Sequence, residues 1–168
     1  MQTILVPVDG SAHALKALHI GCDLAEKYGG RIALLHVLAK HTRASNLLAL
    51  KVSAKFSPKL RSALQTATKP IPGKSSAVEL SDSVIETAGK EILDLAASGV
   101  RRRSLEAEVL PLATGAPSEA ILLAQKRTGA NTIVMGCRGV ASDSEAGSFG
   151  SVSNAVFARA PCTCLSVK

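Results

Sequence analysis

An open, mostly parallel β-sheet with helices on both faces is the fold this chain predicts, and three observations carry that prediction. Short apolar runs recur along the 168 residues, several dense enough for strands covered on both faces. Segments with helical periodicity fill the intervals between them. The first strand, helix and second strand fit within about forty residues, as a parallel crossover requires.

The elements follow in order. Thr3 to Asp9, TILVPVD, is nearly continuous in apolar residues and reads as a buried strand. Ser11 can cap the following helix, in which Leu15, Leu18, Cys22 and Ala25 share one face, and Gly29-Gly30 ends it. Arg31 to Ala39, RIALLHVLA, is a second strand of the same kind. From Lys40 to Lys74 the pattern loosens around Pro58, Pro70, Pro72 and Gly73, with some helix expected at Ser45 to Ala54. Ser81 to Ala97 places Val84, Ile85, Ala88, Ile92, Leu95 and Ala96 on one helical face. Ser104 to Leu110 alternates Leu105, Ala107 and Val109 with Glu106 and Glu108, the pattern of a half-exposed strand at a sheet edge. Pro117 opens a helix to about Arg127, TIVMG at Thr132 to Gly136 is the next strand, Ser151 to Ala160 a helix, and TCLSV the last strand. Five strands alternating with helices imply an open α/β sheet, read as one domain over 1–168 with a variable basic segment at about 40–78.

Composition narrows the class. Hydrophobic residues make up 46% of the chain, within the globular range. No apolar run reaches the ~18 residues of a membrane helix, and no signal peptide is apparent. A soluble cytoplasmic protein without membrane insertion is expected. Cys22, Cys137, Cys162 and Cys164 form no CxxC or zinc-like spacing and read as ordinary buried thiols, the last two on one face of a strand. The net charge of +7 is uneven: Lys27 to Val78 holds ten of the twenty basic residues and no acid. Lys51, Lys55, Lys59 and Arg61 belong to that segment. With three Phe, one Tyr and no Trp to stack on bases, a solvated basic face is expected rather than a nucleic-acid interface.

In open α/β sheets, ligands sit beyond the carboxyl ends of the strands, where strand order reverses. Those ends deliver Pro7-Val8-Asp9-Gly10, His36-Val37 and Met135-Gly136-Cys137-Arg138-Gly139. Glycines let backbone amides approach an oxyanion, and a helix starting at Ser151 aims its free amides and positive dipole end toward a phosphate. A plain loop joining strand to helix fits the same spacing.

ILVPVDGS at the start, TGAP before a helix, IVMGCRG and GSVSNAVFARAPC…LSV resemble the universal stress protein family, over nearly the whole chain except Lys40 to Val78. The resemblance implies a Rossmann-like, adenine nucleotide alpha hydrolase-like sheet of order 3-2-1-4-5, a homodimer formed through Thr163 to Val167, and ATP as ligand, with Mg2+ as a possible companion. The family's ATP-binding pattern is Gly, two residues, Gly, nine residues, then Gly with Ser or Thr; Gly136, Gly139 and Gly150-Ser151 match it. The intervening Val140 to Phe149 has ten residues, one more than the pattern, and carries Asp143 and Glu145. Carried over by position, Pro7, Val8, Asp9 and Val37 would flank adenine. Met135, Gly136, Arg138 and Gly139 would line ribose and phosphates, and Gly150, Ser151, Val152 and Ser153 would hold the outer phosphates. Asp9 can also serve simply as a neighbour of the helix cap.

Other signals carry less. PGKSS at Pro72 to Ser76 lacks the earlier glycine and the preceding strand of a phosphate loop. HIGC at His19 to Cys22 lies mid-helix, away from the turn where a nucleotidyltransferase would use it. His13 and His41 lack partners at metal spacing, and His36 reads as packed near a strand end. No catalytic set emerges, so any ATP hydrolysis is expected to be slow or partner-dependent. The leading expectation is an ATP-binding regulatory or stress-response module. A dimeric interaction protein without nucleotide and an ATP-dependent enzyme using the same cleft are the alternatives.

Overall fold

The computed structural model describes residues 2–39, 42–69, 79–139 and 150–168. The strands are β1 (Thr3–Pro7), β2 (Arg31–Leu35), β3 (Ala107–Val109), β4 (Thr132–Gly136) and β5 (Thr163–Val167). The helices are α1 (Ala12–Tyr28), α2 (Ala44–Leu48), α3 (Pro58–Ala67), α4 (Asp82–Arg101), α5 (Pro117–Thr128) and α6 (Ser151–Arg159). The sheet order is β3-β2-β1-β4-β5 and all pairings are parallel, as expected. Strand order reverses between β1 and β4.

Alternation along the strands divides the core in two. Ile4, Val6, Ile32, Leu34 and Val134 face one side, with α1 and α4. Leu5, Ala33, Leu35, Ile133 and Met135 face the other, with α5 and α6. Both faces are covered, which is why the central strands are apolar throughout. Helix ends obey local rules. Ser11 Oγ accepts from the Ala14 amide at 3.2 Å, and Gly29 closes α1 at φ +64°, a left-handed conformation suited to glycine.

Several elements differ from the sequence expectation; β1 ends at Pro7 rather than Asp9, and β3 is only Ala107–Val109. β2 ends at Leu35, and beyond it only Val37 bridges to Ala113, because the chain turns off the sheet toward the cleft. The helix expected at Ser45 to Ala54 is only Ala44–Leu48, followed by a 3-10 turn at Ser53–Lys55. Ser53 Oγ donates to the Leu48 carbonyl at 2.7 Å and fixes that break. α3 was not expected: Pro58 sits at its first position behind the Ser57 cap, where proline begins a helix rather than interrupting one. α4 runs on to Arg101 because buried Val100 extends its apolar stripe.

Residues 42–69 form a cap over α4. Phe56, Leu60 and Leu64 are buried there, and Ser57 donates from its amide (2.7 Å) and hydroxyl (2.5 Å) to the Glu91 carboxylate. Lys51, Lys55 and Lys59 point outward, whereas Arg61 folds back and donates to the Phe56 carbonyl at 3.0 Å. Cys22 and Cys137 are buried as expected, but Cys162 and Cys164 are only half-buried, because Cys164 lies on the edge strand and Cys162 just before it. Both pack against the α5–α6 side, and burial pushes the Cys164 thiol up to about 11. Pro70, Pro72, Gly73, the PGKSS stretch and His41 lie outside the described residues, as do Asp143 and Glu145.

Candidate functional site

A cavity of about 870 Å³ opens at the carboxyl ends of the strands, at the reversal of strand order. Pro7, Val8 and Asp9 reach it from the end of β1, and Val37 from beyond β2. Met135, Gly136, Arg138 and Gly139 reach it from β4 and the turn after it. Gly150, Ser151, Val152 and Ser153 complete the wall from the start of α6. All twelve residues singled out in the sequence thus meet at one cleft.

The side of the cleft between β4 and α6 is built by a few contacts to one backbone carbonyl. The Cys137 carbonyl accepts from the Gly150 amide at 2.8 Å and from Ser153 Oγ at 3.0 Å. Those two bonds tie the start of α6 to the end of β4, whatever the length of the segment between them. The additional residue relative to the family pattern falls in 140–149, outside the described residues. Ser153 is buried, and its hydroxyl also donates to the Gly150 carbonyl at 2.9 Å. Ser153 Oγ therefore holds the helix start in place, and what Ser153 can offer a ligand is its backbone amide. Gly150 caps α6 with no side chain, and the Asn154 amide is the first to bond back, to the Gly150 carbonyl at 3.0 Å. The amides of Ser151, Val152 and Ser153 precede the intrahelical ladder and carry the positive end of the helix dipole.

The glycines have separate physical reasons. A Cβ on Gly136 would stand 2.8 Å from His13 Cβ and 2.9 Å from the His13 carbonyl carbon, so β4 passes under α1 with no room for a side chain. A Cβ on Gly139 would meet Asp9 Oδ2 at 2.9 Å. On Gly150 it would lie 3.2 Å from the Cys137 carbonyl oxygen. Asp9 in turn accepts from the Ser11 amide through Oδ1 at 2.9 Å, so its carboxylate both lines the cleft and supports the start of α1.

His36 also lines the cavity, at the strand end where the sequence places it with Val37, although it was not among the residues expected to touch a ligand. Its ring is buried and its Nδ1 lies 2.7 Å from the Val8 carbonyl oxygen. That partner is 28 residues away in the chain, so only the folded sheet brings them together. Burial lowers the imidazole pKa below its ordinary 6.5, against the opposing pulls of the Val8 carbonyl and then Asp9. The unfolded chain therefore takes up a proton near pH 6.5 that the folded chain resists, and stability drops as pH falls below that value. Urea midpoints measured between about pH 7.5 and 5.5 should show this slope, and His36→Gln should flatten it. An equal slope in both proteins would count against the buried neutral ring. Among the described residues, no cluster of three His, Cys, Asp or Glu side chains could hold a metal, and no helix is long and apolar enough to cross a membrane.

Fold and cleft together define an α/β protein of the open, switch-point class, with a glycine-bounded helix start facing the cavity. The sequence profile of the universal stress protein family matches residues 1–168, and the chain belongs to that family. Solved structures agree on the fold. The universal stress protein UspA from Lactobacillus plantarum is 19% identical with a TM-score of 0.65, over 99% of this chain and 97% of that one. A universal stress protein from Archaeoglobus fulgidus in complex with dAMP is 22% identical with a TM-score of 0.63, over 100% and 98%. Another universal stress protein, in complex with cAMP, is 20% identical with a TM-score of 0.61, over 99% and 97%. No curated protein matches the chain.

Proposed function

We propose that the cleft binds ATP and that the protein acts as a nucleotide-dependent regulatory module in a stress response. The observation that carries this reading is the start of α6. A side-chain-free cap at Gly150 is tied to the end of β4, and the cleft lies beside the first-turn amides that precede the intrahelical ladder. Gly139 and Arg138 extend the same wall, the one leaving the backbone bare and the other bringing a cation to the cleft. Adenine as the base is supported by the structural neighbours that hold dAMP and cAMP. Magnesium carried on the phosphates would offset the Asp9 carboxylate at the cleft. Mass spectrometry of small molecules released on denaturing the purified protein should find an adenine nucleotide. Protein that releases none, and takes up no ATP when it is supplied, would favour a nucleotide-free interaction protein.

The same reading makes the protein a homodimer. β5 is an edge strand, and Leu165 is 38% exposed on it. An open apolar edge invites pairing with a second copy, and a two-fold contact covers both edges at once. Sedimentation at roughly 10 μM should show a dimer held by about 7 kcal/mol or more. Leu165→Lys, which places a charge on that edge, should yield monomers. A parent protein that sediments as a monomer at this concentration would contradict the pairing.

A further inference from the structure

Part of the cavity lies away from the glycine-bounded wall. It is bounded by Ile85, Ala88 and Ile92 of α4, by Leu47 of α2, and by Leu38 beyond β2. Ile85, Ala88, Ile92 and Leu47 are each at most 8% exposed, so these walls are apolar and sheltered, while Thr42 and Asn46 bring polar groups to the same cavity. Among the described residues, these walls bring no cation to meet a phosphate. An apolar cavity of only about 150 Å³ suffices to take up benzene.

The ring of His36 enters the same region. Its Nδ1 must carry the proton, because the Val8 carbonyl 2.7 Å away can only accept. The ring is 8% exposed, and among the described residues Nε2 has no hydrogen-bond partner. Cδ2 of the ring lies against α4 at Gly89: a Cβ on Gly89 would stand 2.9 Å from it and 2.8 Å from Leu38 Cδ2. Glycine within a 20-residue helix is unfavourable on its own account, and here its bare backbone makes room for the ring. Burial keeps the ring neutral, so Nε2 presents a lone pair to the cavity. An acceptor at an apolar cavity wall favours a ligand that supplies a donor.

We propose that this arm is a second subsite, for a neutral apolar group bearing one O–H or N–H donor that His36 Nε2 accepts. It differs in chemistry from the glycine-bounded wall and does not require that wall to hold a phosphate. Small apolar walls with one convergent polar atom are the usual make-up of a small-molecule site.

Phenol and toluene are suitable probes, being similar in shape and differing in one donor. Titrated into isotopically labelled protein without nucleotide, both should shift the methyl resonances of Ile85, Ile92 and Leu47. Phenol should bind about tenfold more tightly. His36→Phe should abolish that advantage while toluene binding persists, and Leu47→Trp should fill the arm and block both. Circular dichroism checks that each variant is folded; if His36→Phe is not, the phenol-to-toluene ratio in the parent and the Leu47→Trp block still decide. Absence of shifts at these methyls, equal binding of the two probes by the parent, or a phenol advantage that survives His36→Phe would overturn the proposal.

Discussion

Gly136→Ala is expected to lower the stability of the protein by about 3 kcal/mol, with no ligand present. The new methyl would press on His13 Cβ at 2.8 Å, on the His13 carbonyl carbon at 2.9 Å and on the Ala14 amide nitrogen at 3.0 Å. Two of those atoms belong to the backbone of α1. The helix cannot retreat freely, because Ser11 caps it and Asp9 holds the Ser11 amide. The strand cannot retreat either, since Gly136 pairs with Val167 in the β4–β5 ladder. Gly139→Ala is the control. Among the described residues its methyl meets a side-chain oxygen, Asp9 Oδ2, rather than backbone, and should cost less than about 1 kcal/mol. Urea denaturation of both variants checks the contrast, and equal losses would show that the approach of β4 to α1 is not what requires glycine.

The second large effect concerns ligand binding. Gly150→Val should weaken ATP about 100-fold, close to 2.7 kcal/mol, while adenosine binding changes by less than about threefold. The branched side chain would stand over the first-turn amides where we place the outer phosphates. It also crowds the Cys137 carbonyl, since even a Cβ lies 3.2 Å from that oxygen. Valine is a poorer cap than glycine as well, so a stability loss of roughly 1 kcal/mol is expected alongside. Comparing the two ligands separates these causes. If ATP and adenosine weaken equally, the variant has distorted the cleft and the phosphates do not sit at Gly150.

Much of this architecture was legible in the chain itself. β1 and β4 are apolar on both faces because helices cover both faces, and that continuity is visible without coordinates. Ser11 and Gly29 mark the ends of α1 through local chemistry alone. The edge position of β3 followed from its alternation, and Glu108 indeed sits half-buried beside Arg31 in an ion pair at 3.2 Å. α3 is hard to see in the sequence although Ser57-Pro58 is a legitimate helix start, because proline in a loose segment also signals a break. β2 was drawn too long, since Val37 remains apolar after leaving the ladder and its composition does not register the departure.

The site was legible in part for the same reason. The glycines and Ser151 stand close together in sequence, so their spacing carries information. The hydroxyl of Ser153 did not reveal its duty, because its two acceptors, the Cys137 and Gly150 carbonyls, meet only when the loop closes. His36 was read as packed near a strand end, and its bond to Val8 is a tertiary fact. Gly89 offered a signal that went unused: a glycine midway along an amphipathic helix asks for a packing reason.

The central claim is that this cleft grips an adenine nucleotide chiefly through its phosphates. Isothermal calorimetry on protein stripped of ligand, with magnesium present, tests it most directly by titrating ATP and adenosine in turn. The account predicts saturable binding of ATP, at least about tenfold tighter than adenosine, or 1.4 kcal/mol. Equal affinities for the two ligands, or no binding of ATP, would contradict it.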